Sequence, residues 1–210
     1  MPRGALIVLE GVDKAGKSTQ CKKLSNTLPN TVLLNFPNRT TQIGQIINQY
    51  LKNEIELTDQ AVHLLFSANR WEAEKHILDT LNSGKNIIID RYAYSGVAFT
   101  ASKNIKNMDL NWCKNSDIGL PKPDKVFYLT LDETDMKNRG DFGAERYEKT
   151  DFQKKVAENF RILSGEEGED GSWEVVDAGR SIEEVNVVLL KSCEEIIKDC
   201  GDREILKLWV

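Results

Sequence analysis

Long apolar stretches are absent from this sequence of 210 residues. The early apolar run from Ala5 to Leu9 is far shorter than the roughly 20 residues that a membrane-spanning helix requires. It is also too short for the apolar region of a secretory signal. We therefore expect no membrane association and a cytoplasmic compartment, with nuclear or mitochondrial pools also compatible.

Cysteine and histidine are also scarce, and negative charges outnumber positive ones. The four cysteines form no C-x-x-C pair and accompany no histidine cluster, so neither a disulfide framework nor a zinc site is indicated, and we expect reduced thiols. The net charge of −5 argues against a broad nucleic-acid-binding surface, although local basic pockets are compatible with it. We therefore expect no nucleic-acid partner.

A phosphate-binding motif stands near the start of the chain. Gly11-x-x-x-x-Gly16-Lys17-Ser18 fits the G-x-x-x-x-G-K-[ST] pattern at every specified position, between an apolar run and a predicted helix. Glycines let backbone N–H groups curl around phosphate oxygens, and the following helix points its positive end at the same anion. Lys17 is expected to reach the β- and γ-phosphates, and Ser18 to hold Mg²⁺.

Short apolar runs alternate with longer amphipathic segments, a pattern typical of a parallel sheet with helices on both faces. We predict a single domain over residues 1–210 with a five-stranded parallel sheet and three layers. The predicted strands are 5–9, 31–36, 86–90, 125–131 and 173–177. The predicted helices run from 19 to before Pro29 and over 40–52, 58–81, 93–102, 108–114, 132–138, 150–163 and 181–198.

Helix starts and one loop can also be predicted. Thr150 to Gln153 and Ser181 to Glu184 have the pattern of capping boxes, and Asp132 suits a helix N-cap. The acidic, glycine-rich stretch 164–172 is interpreted as a solvated loop.

Several charged residues follow the ends of predicted strands. Asp90 and Arg91 come directly after a buried strand, and the carboxyl ends of parallel strands share one edge with the phosphate loop. An aspartate in this place can anchor Mg²⁺, while arginine presents a planar fork to phosphate oxygens. We therefore predict a magnesium site at Ser18 and Asp90.

Further short motifs make the pattern specific, since they occur in a fixed order. With the phosphate loop they closely resemble the eukaryotic-type thymidylate kinases, a family of P-loop nucleoside monophosphate kinases, from about Ala5 to Ile197. The motifs are Phe36-Pro-Asn-Arg39, the segment from His63 to Trp71, the segment from Asp90 to Phe99, the segment from Gly119 to Asp124, and Glu145-Arg-Tyr-Glu148.

The resemblance implies a P-loop kinase fold and transfer of the γ-phosphoryl group of ATP to dTMP, with Mg²⁺, in a homodimer. It also implies a lid segment at about 139–147. The implied catalytic groups are Asp13, Lys14, Lys17, Arg91, Arg139 and Arg146. The implied ATP contacts are Gly11, Val12, Asp13, Lys14, Ala15, Gly16, Lys17, Ser18, Thr19, Arg139 and, near adenine, Arg180.

The resemblance also assigns the dTMP site. Phe66 would stack on thymine, and Arg70 would donate to the pyrimidine O4. Arg39 and Arg91 would grip the phosphate. The remaining implied contacts are Asp13 and Gln153 at the sugar, Tyr147 against a ribose 2′-hydroxyl, Phe99 and Thr100 around the base, and Phe36, Ser95 and Gly96.

The spacing of these residues along the chain does not by itself support the assignments to the dTMP site, which rest on the family resemblance. From spacing, Phe66 and Arg70 are simply a core aromatic beside a surface arginine, and Gln153 belongs to a capping box. Lys14 departs from the arginine that is usual in the family, so which group contacts the γ-phosphate there is left open.

The alternatives to this function are a kinase for another monophosphate such as UMP or CMP, and a nucleotide-binding module without catalysis. A GTPase is disfavoured because no N-K-x-D motif follows a strand. A protein kinase is disfavoured because the catalytic-loop motif is missing.

Overall fold

The computed structural model of the protein describes residues 2–132, 145–168 and 170–210. Within these ranges the chain forms five strands and eight helices. The strands are β1 (Leu6–Gly11), β2 (Thr31–Asn35), β3 (Asn86–Asp90), β4 (Lys125–Thr130) and β5 (Trp173–Asp177). The helices are α1 (Lys17–Thr27), α2 (Gln42–Leu51), α3 (Asp59–Trp71), α4 (Glu74–Asn82), α5 (Ala93–Ala101), α6 (Leu110–Asn115), α7 (Thr150–Glu167) and α8 (Ile182–Asp199).

All five strands lie in one parallel sheet, in the order β2-β3-β1-β4-β5. Every residue of the central strand β1 is buried. Successive strand residues point to opposite faces, so burial of all of them means that both faces of the sheet are covered. The predicted five-stranded parallel sheet with helices on both faces is confirmed.

The helices pack in groups around the sheet. Helix α1 contacts α8, while α5 contacts α3, α6 and α7. The apolar strand side chains and the inner faces of these helices form one large core, and a second cluster around Ile47 and Val62 joins α2 to α3. No helix in the described ranges is both long and apolar enough to cross a membrane.

The prediction of one helix over 58–81 is wrong, because the chain breaks between α3 and α4. At the break the Ala73 N–H bonds to the Arg70 carbonyl, three residues back, which tightens the turn. The side chains of Asn69 and Glu72 bond to each other and to Thr41, in the loop before α2. These contacts hold the end of α3 against the loop before α2.

Two of the predicted helix ends also need correction. Helix α7 starts after Lys149 without a side-chain cap, and Gln153 bonds elsewhere, so the predicted capping box at Thr150 is wrong. The same helix continues to Glu167, so part of the predicted acidic loop is helical. The capping box at Ser181 and Glu184 is confirmed. The predicted helix 132–138 lies almost wholly outside the described residues.

The depth of β1 in the core predicts how the sheet responds to truncation. Val8 is fully buried in β1, whereas Val175 is 60% exposed in the edge strand β5. Val8→Ala removes two buried methyl groups and leaves a cavity, so we expect a loss of about 2 kcal/mol in the free energy of unfolding. Urea denaturation measures this loss. Val175→Ala, the matched control, should change the free energy by less than about 0.5 kcal/mol. Equal effects of the two substitutions would contradict the burial of β1.

Candidate active site

The phosphate loop connects β1 to α1. Gly11 has φ +143° and Gly16 has φ +86°, and a Cβ on Gly11 would stand only 2.4 Å from the carbonyl oxygen of Leu129. Both positions therefore require glycine. Lys14 also has a positive φ, of 64°. Helix α1 begins at Lys17, so its amino end faces the space that the loop encloses.

Lys17 lies folded into this loop. Its Nζ is buried and donates to the carbonyl oxygen of Val12 at 2.6 Å. Burial and, to a smaller extent, the positive charge of Arg91 lower the pKa of Lys17, Asp90 and Asp13 partly oppose them, and the net pKa is about 8. An anion bound by the loop would raise this pKa again and stabilise the charged form, so the loop is suited to phosphate.

Ser18 and Asp90 are in direct contact at the carboxyl edge of the sheet. The Ser18 hydroxyl donates to the Asp90 carboxylate, although the two residues are far apart in the chain. In the described part of the chain no cluster of three or more His, Cys, Asp or Glu side chains could hold a metal. One hydroxyl and one carboxylate nevertheless suit Mg²⁺, which takes its other ligands from water and from phosphates of the substrate.

Arg91 joins the phosphate loop to the start of α5. Its guanidinium contacts the Asp13 carboxylate at 2.5 Å, the carbonyl oxygen of Gly11 at 2.9 Å and the hydroxyl of Ser95 at 3.1 Å. Asp13 also accepts a hydrogen bond from Gln153 Nε2 at 2.6 Å. The side chain of Gln153, which was predicted to cap α7, is thus used to contact Asp13. Arg91, Asp13 and Gln153 therefore form one polar group beside the loop.

Glu10 was missed by the sequence predictions. It is fully buried in β1 and accepts hydrogen bonds from the backbone N–H groups of Tyr92 and Ser95 and from the Ser95 hydroxyl. Burial raises its pKa, and these three donors together with the charge of Arg91 oppose the rise. The carboxylate thus anchors the turn that carries Arg91. An acidic residue inside an apolar strand was the available signal.

Two cavities open beside the phosphate loop. The larger, of about 830 Å³, is lined by loop residues and by residues that follow β5, among them Arg180. The smaller, of about 130 Å³, lies between α3, α5 and the segment 145–148, and its lining includes Phe66, Arg70, Gly96, Phe99, Thr100 and Tyr147. Both cavities are bordered by Asp13, Phe36, Pro37, Arg39 and Arg91. The two cavities therefore adjoin each other at this shared group of residues.

Arg70 forms the polar end of the smaller cavity and is not the surface arginine that spacing alone indicated. Its side chain is 2% exposed and contacts the fully buried Asp117, with Nη2 and Oδ2 separated by 2.6 Å and Nε and Oδ1 by 3.1 Å. Asp117 also accepts from the hydroxyl of Ser67. A Cβ on Gly96 would stand 2.7 Å from Arg70 Nη2, so the absence of a side chain there makes room for the guanidinium.

Two further predicted residues, Arg39 and Tyr147, lie around the segment 145–148. Arg39 is paired with Glu145, with Nη1 and Oε1 separated by 2.7 Å. Tyr147 stacks on Phe152 and its hydroxyl bonds to Tyr50. Burial raises the pKa of Tyr147, so its hydroxyl stays protonated.

Of the two arginines expected over ATP, Arg139 and Arg146, the described part of the chain includes only Arg146. Arg146 pairs with Glu56 at 2.7 Å and stacks over Tyr50. Among the described residues it lines neither cavity. Its expected place over ATP stays a prediction, and Arg139 lies outside the described residues.

The buried pair of Arg70 and Asp117 predicts a stability effect. Asp117→Asn leaves the guanidinium buried without its counter-charge, so we expect a loss of about 3 kcal/mol in the free energy of unfolding. Chemical denaturation is the measurement. Asp79→Asn is the matched control, because Asp79 pairs with Lys75 on the solvent-exposed surface and should show little or no change. A small effect at both sites would mean that the stability of the fold does not depend on the charge of Asp117.

Comparisons with known proteins agree with this geometry. The thymidylate kinase family model matches residues 9–187. A thymidylate kinase of Dictyostelium discoideum is 50% identical over 189 residues, which cover 88% of this chain and 82% of that protein. A thymidylate kinase of Homo sapiens is 46% identical, with 99% of this chain and 98% of that protein covered. The solved structure of a thymidylate kinase from Candida albicans superposes with a TM-score of 0.89, at 40% identity and 99% coverage of both chains. The chain therefore belongs to the thymidylate kinase family.

Proposed function

We propose that this protein is a thymidylate kinase that transfers the γ-phosphoryl group of ATP to dTMP, yielding dTDP and ADP. The observation that carries the proposal is the shared border of the two cavities at Asp13, Arg39 and Arg91. A phosphate donor in the larger cavity and a nucleoside monophosphate in the smaller one would bring their phosphates together there. Phosphoryl transfer asks a protein mainly for such positioning and for neutralisation of charge.

The larger cavity suits the phosphates of ATP. The loop backbone and the amino end of α1 provide N–H donors, and Lys17 adds a positive charge beside them. Lys14 is on the same loop, with its Nζ 3.9 Å from Glu148 Oε1, and in our proposal it takes part of the work of the arginine that is usual in the family. Arg180 also lines this cavity, and in our proposal adenine lies against it.

The family uses Mg²⁺ with ATP, and in our proposal Ser18 and Asp90 hold it. Their hydroxyl and carboxylate oxygens are of the hard type that this cation prefers. When bound, the ion would neutralise phosphate charge. The protein's own part is to keep these two oxygens together at the end of β3.

The smaller cavity suits dTMP. Phe66 offers an aromatic face and Arg70 offers donors, which is what a flat pyrimidine ring with a carbonyl oxygen requires. Asp13 and Gln153 are close enough to each other to contact one sugar hydroxyl, and Tyr147 borders the same cavity. Arg39 and Arg91 stand at the border with the phosphate loop, where the monophosphate would lie. In our proposal Arg91 contacts the transferred group from the acceptor side.

We also propose that the protein works as a homodimer. Ile46 on α2 and Leu64 and Trp71 on α3 are exposed apolar side chains on helices that pack together, and a second copy could cover them. Analytical ultracentrifugation gives the oligomeric state directly.

The proposed activity is tested by a coupled assay of ADP formation with ATP, Mg²⁺ and a panel of monophosphates. We expect kcat/KM for dTMP to exceed the values for UMP, CMP and dCMP. Arg70 can donate to O4 but not to the amino group of CMP and dCMP, and Tyr147 would crowd the 2′-hydroxyl of UMP and CMP. A preference for UMP or CMP would favour a kinase of another specificity. Absence of turnover with every monophosphate would favour a binding module.

The phosphate loop predicts a catalytic effect at Lys17. Lys17→Ala should lower kcat by about 10²-fold or more, since a preorganised charge at the transferred phosphate is lost. Lys22→Ala is the control, because Lys22 is on the same helix but exposed. Steady-state kinetics on both variants and a circular dichroism spectrum of each separate catalysis from folding. A Lys17→Ala protein with wild-type kcat would rule out the proposed role of the loop.

The tight contact at Gly96 predicts an effect on the acceptor alone. In Gly96→Ala the new methyl group displaces the Arg70 guanidinium, so we expect the KM for dTMP to rise about tenfold while the KM for ATP stays unchanged. Gly165→Ala is the matched control, because a Cβ on Gly165 meets nothing within 4 Å. Parallel increases in both KM values after Gly96→Ala would show that the smaller cavity does not receive dTMP.

A further inference from the structure

Thr100 is a buried hydroxyl-bearing residue in the lining of the smaller cavity. It stands on α5, and its Oγ1 lies 2.8 Å from Nδ1 of His63, a buried residue of α3. A hydroxyl group can either donate or accept, so Thr100 by itself does not determine which kind of group it presents to a ligand. Whether the Thr100 hydroxyl donates or accepts depends on its hydrogen-bond partner, Nδ1 of His63.

The second ring nitrogen of His63 identifies the tautomer. Nε2 lies 3.0 Å from the backbone carbonyl oxygen of Cys113 and 3.1 Å from the Ser116 hydroxyl. A carbonyl oxygen only accepts, so the contact with Cys113 requires the proton on Nε2. The opposite tautomer would place the lone pair of Nε2 against the lone pairs of the carbonyl oxygen.

His63 carries a single proton at neutral pH. Burial lowers the pKa of the ring to about 4, and the positive charge of Arg70 acts in the same direction. With its one proton on Nε2, the ring has an unprotonated Nδ1 that can only accept. The Thr100 hydroxyl must then donate its proton to Nδ1, away from the cavity.

The cavity wall therefore presents two groups of opposite kind. Thr100 has only acceptor lone pairs left for a ligand, and Arg70 has only N–H donors. A pyrimidine with a protonated N3 and a carbonyl at C4 matches both groups. A cytosine ring, with an unprotonated N3 and an amino group at C4, is mismatched at both.

We propose that His63 is a positioning residue that fixes the orientation of the Thr100 hydroxyl and so makes the cavity select a base with a protonated N3. The inference rests on the proposed function, since it assumes that the base of the acceptor lies in the smaller cavity. His63 itself touches no part of the substrate, and it acts through Thr100 alone.

The tautomer can be tested on the unaltered protein by ¹⁵N NMR of the imidazole rings. The chain has only two histidines, and the exposed His76 is assigned by its loss in a His76→Gln variant. We expect the His63 spectrum at neutral pH to show a proton on Nε2 and none on Nδ1. A proton on Nδ1, or a doubly protonated ring, would overturn the inference, and this result does not depend on the folding of any variant of His63 or Thr100.

The effect on selection is tested with dTMP and 5-methyl-dCMP, which differ only at N3 and C4. In His63→Phe the Thr100 hydroxyl is free to rotate and to donate to an unprotonated N3, and in Thr100→Val the hydroxyl is gone. We expect the ratio of kcat/KM for dTMP to that for 5-methyl-dCMP to fall about tenfold in each variant, mainly through KM. The ratio should stay above one, because Arg70 is unchanged.

Ser116→Ala is the matched control, since it removes the other hydroxyl near the His63 ring and leaves the contact between Nδ1 and Thr100 in place. Its ratio should equal that of the unaltered protein. If His63 only stabilises the fold, His63→Phe will lower the kcat/KM of both substrates equally, and an unchanged ratio overturns the inference. An unaltered protein that phosphorylates no monophosphate contradicts the proposed function and the inference with it. Activity on dTMP with an unchanged ratio contradicts the inference alone.

Discussion

The parallel pairing of β1 with β3 is the constraint on which the site depends. Leu9 is in register with Asp90, and the N–H of Arg91 bonds to the carbonyl oxygen of Leu9 at 3.0 Å. This pairing brings the end of β3 beside the start of the phosphate loop. The contacts of Asp90 with Ser18 and of Arg91 with Asp13 both follow from it. A shift of the register by one residue would reverse which face each side chain points to and separate all four.

Buried charges concentrate at this edge of the sheet, and each has a partner. Glu10 accepts three hydrogen bonds, Lys17 donates to the loop, and Arg70 is paired with Asp117. An isolated charge in such surroundings would cost several kcal/mol, so these arrangements require the fold to hold both partners in place. The stability of the core and the geometry of the site are thus linked through the same side chains.

The sequence predicted best what depends on neighbouring residues. The five strands, the phosphate loop and the capping box at Ser181 are set by local patterns, and each is present in the structure with small changes at its ends. The family resemblance also named Arg70 and Thr100 as residues of the base site, and both line the smaller cavity. Their roles toward a ligand remain proposals.

What the sequence missed depends on contacts between distant segments. Nothing near Asp117 indicates that it would pair with Arg70, because their chain positions differ by 47 and the two residues come together only through the packing of α5 against both α3 and α6. The break after Trp71 depends in the same way on the loop at Thr41. Gln153 had a sufficient local explanation as a capping residue, but tertiary contacts with Asp13 override that local pattern.

The ion pair of Arg39 with Glu145 has a consequence for how an acceptor would enter. Glu145 presents its two carboxylate oxygens to the guanidinium at 2.7 and 3.0 Å, in the bidentate arrangement that a phosphate group would also adopt. A monophosphate that binds Arg39 must therefore displace this internal anion. Binding would then exchange one counter-ion of Arg39 for another. Glu145 alone would lose its partner, because Arg146 keeps its contact with Glu56 and Tyr147 keeps its contact with Tyr50 on α2. Departure of such a ligand would reverse the exchange, with the Glu145 carboxylate competing against the leaving phosphate for Arg39.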